Sequence, residues 1–230
     1  MVNPFLSKAK DYVSLKGISM MRMFNCHFTK FYLVLLLSSC VSVPYLDKHQ
    51  IKGNVKTLTE TIYDASNDDS ALLKKTNYEF TKNGRVKYAQ TVDATSDVIV
   101  TKHKKLWFTK QSYPDREPYY CKTRWKPQNR ERISCYTQKQ YKQNQSIYYY
   151  HDDGSIAKIE EDFSIFFTQY YYYDSKKELT AISIKDKQGK LIDSINVRCL
   201  GKDQYNNCTS LEKRYTVSDS LLLVNRLVQF

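Results

Sequence analysis

The chain has 230 residues, 41% of them hydrophobic and 26% charged, a balance that suits a folded domain and excludes wholesale disorder. Six glycines and five prolines exclude collagen-like and Pro/Gly-rich linker architectures. Lys and Arg number 36 against 24 Asp and Glu, a net +12, and 20 tyrosines and six cysteines stand out.

The first feature in chain order is the apolar run Phe31 to Leu37, preceded by Arg22 and Lys30 and followed by Ser38, Ser39 and Cys40. A basic stretch, a short apolar run and small residues in that order are the parts of a secretory signal. The segment Leu37-Ser38-Ser39-Cys40 resembles the lipobox of bacterial lipoproteins. That resemblance implies lipid attachment at Cys40, cleavage before it, and anchorage of the mature chain to a membrane. Val41 at the following position, where Asp favours inner-membrane retention in enteric lipoproteins, implies the outer membrane facing the periplasm. Residues 1–19 place the apolar run too deep for a signal, so a start at Met20 and a signal over 20–39 are expected. Without residues 1–39 the chain keeps 31 basic and 23 acidic residues, 31 − 23 = +8.

Residues 40–50 read as a tether, and 51–230 as a β-rich envelope domain. The stretch from Val55 to Tyr63, with Thr57, Thr59 and Thr61 alternating, suits a half-exposed strand. The sequence then carries four related segments, beginning at Tyr78, Tyr148, Tyr171 and Ile182. In the first two, aromatics at alternate positions lead into Asn83-Gly84 or Asp153-Gly154, and Val86 or Ile156 follows. Asn-Gly and Asp-Gly supply the positive φ of a tight hairpin, and the next aliphatic residue starts the return strand. The third copy has Lys177 where glycine is expected, and the fourth, around Gly189, has one extra loop residue. The pattern Tyr171, Tyr173, Asp174, Leu179 resembles the Rhs/YD-repeat proteins of bacterial envelopes and toxin shells. That resemblance implies a mainly β, antiparallel fold, a hairpin-repeat twisted sheet or open barrel, and brings no catalytic residue. The tail from Ser218 to Val228 is readable as a helix or as a strand.

With Cys26 in the signal and Cys40 lipidated, Cys121, Cys135, Cys199 and Cys208 remain. Two disulfides, Cys121–Cys135 and Cys199–Cys208, each close a short polar loop; a zinc site is the rival, and its spacings are too wide.

No P-loop, HExxH or GxSxG motif occurs, and no catalytic residue, metal ligand or cofactor is expected. His151-Asp152-Asp153 falls in a hairpin turn, where Asp is at home for turn reasons. Between residues 102 and 142 cations alternate with aromatics, and Lys104, Lys105, Trp107, Arg124, Trp125, Lys126, Arg130 and Arg132 form the expected binding surface. Nucleic acid uses such surfaces, but export removes it as a partner. Anionic lipid, lipopolysaccharide or an acidic envelope protein fits better. The expectation is a non-catalytic binding or structural role. An immunity protein against a delivered toxin is the second reading, and an envelope enzyme with a pocket at His103 or His151 the third.

Overall fold

A computed structural model describes residues 43–67, 69–126 and 129–230, so the signal, Cys26 and Cys40 lie outside the described residues. One short helix, α1 (Tyr45–Lys48), precedes the strands. They are β1 (Thr57–Asp64), β2 (Ala71–Phe80), β3 (Val86–Asp93), β4 (Val98–Lys104), β5 (Thr109–Ser112), β6 (Tyr119–Lys126) and β7 (Arg130–Tyr136). The second half comprises β8 (Lys142–Tyr150), β9 (Ile156–Asp162), β10 (Phe166–Tyr173), β11 (Leu179–Asp186), β12 (Leu191–Lys202), β13 (Cys208–Tyr215) and β14 (Leu221–Gln229). Each strand pairs antiparallel with the next, and β1 pairs with β14 from Thr57 opposite Gln229 to Asp64 opposite Leu222. The mainly β, antiparallel expectation therefore holds, and the barrel is closed rather than open. The ambiguous tail is β14, because its backbone groups complete the last ladder and leave no exposed sheet edge.

Seven hairpins share one turn. At Thr81, Asp93, Thr137, His151, Asp174, Asp186 and Asp203 the residue i donates its N–H to the carbonyl of i+4, and i+3 donates to the carbonyl of i. The i+3 residues are Gly84, Ser96, Gln140, Gly154, Lys177, Gly189 and Asn206, all with φ between 64 and 84°. The side chain at i often completes the turn: Asp174 Oδ1 accepts the N–H groups of Lys176 at 2.9 Å and Glu178 at 2.8 Å. All four repeats seen in the sequence are hairpins of this type, and the fourth has no extra loop residue once aligned on Asp186.

Opposed residues of an antiparallel ladder point to the same side, so the register carries each face around the barrel. Outward, Thr59 opposes Asn77 and Leu227, Asn77 opposes Gln90, and Gln90 opposes Thr101. Side chains pair along this wall, Thr59 with Asn77 at 2.9 Å and Ser210 with Asn225 at 3.0 Å. The outer wall mixes Thr, Ser, Asn, Gln, Lys and Arg with tyrosines such as Tyr88, Tyr149 and Tyr170. The buried aliphatic residues face inward, in three separate clusters rather than one central core, while Leu223 and Leu227 of β14 face outward opposite Tyr63 and Thr59. Fourteen strands also make a wider ring than the eight whose interior side chains alone can fill.

Residues 43–56, the end of the expected tether and the start of the expected domain, close one mouth of this ring. Leu46 donates its N–H to Gly84 O at 3.3 Å and packs beneath that glycine, where an added Cβ would come within 3.1 Å of it. Ile51, Val55 and Leu46 join Leu58 and Phe80 in a buried cluster. On the far side Asn207, 1% exposed, accepts the Lys52 N–H at 2.6 Å and donates to Lys52 O at 3.0 Å. That side chain stands in for a neighbouring strand and pins the plug to the β12–β13 turn.

Candidate functional site in the barrel interior

The interior combines apolar wall with charge. On β11 to β14 the inward residues include Ile182, Ile195, Val197, Leu211 and Val224, all buried together. Lys213 sits in the same wall, between inward Leu211 and Tyr215 and opposite Val197 and Leu222. Beside it Arg226 donates to Glu60 at 2.9 Å across the β1–β14 seam. Lys74 opposes Ile62, and Lys102 opposes the buried Ala89, which places both ammonium groups inward as well. Lys74 and Lys102 nonetheless keep the accessibility of exposed residues. Inward placement together with access to solvent leaves open space beside these two side chains on the inner side of the wall. Desolvation by the wall holds the Lys102 ammonium below its ordinary pKa, and Lys74 adds to the effect. Lys213 is lowered for the same first reason, with Arg226 and Lys74 contributing and Glu60 opposing.

The plug reaches across the lumen. Lys48 donates to Glu131 Oε2 on β7 at 2.6 Å, and Tyr150 donates its hydroxyl to the same oxygen at 2.6 Å. The Lys48 ammonium also lies 4.8 Å from the Tyr148 ring centroid. Burial raises the Tyr150 phenol pKa far above its usual value, and the Glu131 charge raises it further. His49, on the plug, faces the cations. Desolvation, then Arg226, Lys48 and Lys213, bring its pKa down to about 3, so its imidazole is neutral at pH 7. On the opposite arc Glu161 points inward, accepts the Ser146 hydroxyl at 2.6 Å, and is raised by burial.

The expected basic surface does not form one patch. Arg124, Arg130 and Arg132 face outward, with Arg124 opposite Arg132 and the Arg130 guanidinium 5.9 Å from the Tyr149 ring centroid. Trp125 faces inward and stacks on Tyr150 at 6.0 Å. Lys104 also faces inward at the mouth, where desolvation and Arg85 lower its pKa and Glu131 raises it. Lys105 and Trp107 sit at the β4–β5 hairpin tip, where Leu106 is 82% and Trp107 80% exposed. The backbone of Lys126 pairs with Arg130. The split has a simple cause. Neighbours in a strand point to opposite faces, so a run of cations and aromatics along one strand is shared between inside and outside. The interior lysines Lys74 and Lys213 were missed because they lie 139 positions apart (213 − 74) and meet only across the closing seam.

Two disulfides are present, Cys121–Cys135 between opposed positions of β6 and β7 and Cys199–Cys208 between β12 and β13. His103 faces outward against Tyr88, ring centroids 4.7 Å apart. His151 lines a shallow pocket of about 340 Å³ with Asp153, Ser155, Tyr171, Tyr173 and Lys177. The Asp153 carboxylate there is already engaged by the Ser155 N–H, the Ser155 hydroxyl and Lys177. Those three partners, Lys177 and Ser155 first, hold its pKa far below the usual carboxylate range.

No family model matches this sequence, and no curated protein matches it. Among solved structures, the chain is similar to a porin-like protein from Bacteroides uniformis at 13% identity and a TM-score of 0.38. That match covers 72% of this chain and 57% of the porin-like protein, so the chain spans little more than half of that protein's length. It is also similar to the LolA superfamily protein NE2245 from Nitrosomonas europaea, at 7% identity and a TM-score of 0.41 over 79% of this chain and 88% of that one.

Proposed function

We propose that the protein is a lipid-anchored, non-catalytic component of a bacterial cell envelope that binds an amphipathic molecule inside its barrel. The observation that carries this reading is the assignment of faces. The aliphatic residues of β11 to β14 face inward and are buried together, beside inward Lys74 and Lys102, which keep access to solvent, while Thr59, Asn77 and Gln90 pair along the outer wall. Burying an apolar chain there removes surface from water, at about 25 cal/mol per Å² of apolar area. The lipobox-like Leu37-Ser38-Ser39-Cys40 supports the anchor, with the outer membrane as its site. Val43 lies at the plugged mouth beside Gly154. The exposed tip at Leu106 and Trp107, flanked by Lys104 and Lys105, projects from the same end. An apolar tip set among cations suits contact with anionic head groups, and it is the part of the expected basic surface that supports a membrane partner.

The test is titration of the mature protein with an uncharged, solvatochromic phenylnaphthylamine. Saturable binding is expected, and Leu211→Trp, which fills the apolar wall, abolishes it. Absence of saturable binding, or binding that survives this filling substitution, overturns the reading. Cys40→Ser removes acyl labelling and membrane fractionation if the anchor is correctly placed; unchanged fractionation refutes it.

A further inference from the structure

The lumen contains more cation than its own carboxylates neutralise. Among the described residues its ion pairs are Arg226 with Glu60 and Lys48 with Glu131, each carboxylate lying within 3 Å of its partner's nitrogen. Lys74, Lys102 and Lys213 have no carboxylate within ion-pair distance among the described residues. Asp93 opposes Lys74 across the β2–β3 ladder, but its Oδ1 is taken by the Thr95 N–H, the Thr95 hydroxyl and the Asp97 N–H of its own turn. Ammonium groups are rarely enclosed by a protein wall without a partner, because enclosure penalises the charged form. Here Lys213 is partly buried in the wall, and Lys74 and Lys102 keep solvent access on its inward side, where an incoming anion meets them.

The placement of these lysines defines a shape for the ligand. Lys213 rises from the apolar wall itself, with Val197 and Leu222 as its ladder partners and Leu211 beside it. Lys74 lies across the closing seam, on a strand next to β1, and Lys102 two strands further on. A head group meeting these ammonium groups sets a chain attached to it beside the inward aliphatic wall of β11 to β14, where Ile182, Ile195, Leu211 and Val224 are buried together.

We infer that the lumen selects amphiphiles with an anionic head, a carboxylate or a phosphate monoester, through Lys74, Lys102 and Lys213. The inference rests on the proposed binding role of the barrel and specifies its ligand class. Selection arises because an anion neutralises cations that the fold leaves uncompensated, whereas a neutral head of equal size gains nothing from them. The interaction is partly shielded by the wall, so added salt weakens it less than it would weaken a surface contact.

The experiment is displacement of the uncharged naphthylamine from the mature protein by palmitate, palmitoyl lysophosphatidate and methyl palmitate. Both anions are expected to bind at least about tenfold more tightly than the ester, a ratio equivalent to about 1.4 kcal/mol. The combined Lys74→Gln, Lys102→Gln and Lys213→Gln variant brings all three ligands within about twofold while the ester's affinity stays unchanged. Replacing the outward lysines Lys75, Lys122 and Lys185 in the same way leaves the preference intact. Equal binding of anions and ester, or a preference that survives the inward triple substitution, overturns the inference and leaves the carrier reading standing. Failure of all three ligands and of the naphthylamine to bind overturns the carrier reading instead. A variant whose ester affinity also collapses is misfolded; the single substitution Lys102→Gln, at an accessible position, then decides the matter by reducing the anion preference or leaving it whole.

Discussion

Replacing Lys48 by Met tests whether the plug is held by a buried ion pair or merely rests in the mouth. The Lys48 and Glu131 side chains are 12% and 2% exposed, and their charged atoms are 2.6 Å apart. Met keeps the aliphatic stem, so the change removes little beyond the charge. Glu131 is then left buried with the Tyr150 hydroxyl as its remaining partner. Orphaning one member of such a pair costs about 3–5 kcal/mol, and the retained hydroxyl places this case at the lower end. The cost falls on seating of the plug, because Lys48 belongs to residues 43–56 and Glu131 to the wall. About 3 kcal/mol corresponds to roughly a hundredfold more opening. Amide hydrogen exchange reads it directly at Ile51, whose N–H donates to Leu46 O at 2.8 Å, and at His49, which donates to Tyr45 O at 3.2 Å. Adding Glu131→Gln to Lys48→Met leaves no charge buried and keeps an acceptor for Tyr150, so most of the protection returns. A change below threefold in the single variant would refute the reasoning, as would a double variant no better protected than the single.

Three further outcomes follow from the same geometry. His49 has a pKa near 3 when folded against 6.5 when free, so the unfolded chain takes up a proton the folded one refuses. Stability is therefore full above pH 6.5 and falls as pH drops toward 3, by at most about 1.4 kcal/mol per pH unit, less where lumen water reaches the ring; urea midpoints of His49→Gln should lose that slope between pH 6.5 and 5. The bridges Cys121–Cys135 and Cys199–Cys208 span separations of 14 and 9 residues, and replacing either pair by Ala lowers unfolding free energy by about 3 kcal/mol, measured in denaturant. In a Trp125→Phe background, Trp107 emission shifts to the blue on vesicles rich in anionic phospholipid, and Leu106→Ser cuts partitioning about tenfold; an unshifted spectrum removes the tip from the membrane contact.

The hairpins were legible where the turn chemistry was conspicuous. Gly84, Gly154 and Gly189 stand at the positive-φ position, and each marks a turn that is present. The turns at Asp93, Thr137 and Asp203 are the same in hydrogen bonding but place Ser96, Gln140 and Asn206 there. A non-glycine residue pays about 1–2 kcal/mol for left-handed backbone, and side-chain acceptors help offset it in these loops. Asp203 Oδ1 takes the N–H groups of Tyr205 and Asn207, both at 2.9 Å, and Asp93 Oδ1 does the same for Thr95 and Asp97 at 3.0 Å. The usable signal was thus the Asp or Thr that opens the turn, which recurs at six of the seven positions, rather than the glycine that closes it.

The candidate site was less legible, for a reason that lies in the closed sheet itself. A strand with one face on a filled core shows its function on the outer face, so cations between aromatics read as an external surface. In this barrel charged side chains stand on both faces, and polarity along one strand no longer says which face is inside. Lys102 and His103 are adjacent in sequence, yet the ladder places Lys102 opposite buried Ala89 and His103 opposite Tyr88 on the outer wall. Only the closing pair β1 and β14, which puts Glu60 against Arg226 and Val224 against Ile62, fixes the inward side for every other strand. That contact joins residues more than 160 positions apart, beyond the reach of any local pattern. The charge excess visible in the composition therefore includes a part that solvates no outer surface. Lys74, Lys102 and Lys213 put positive charge on the inside of the wall.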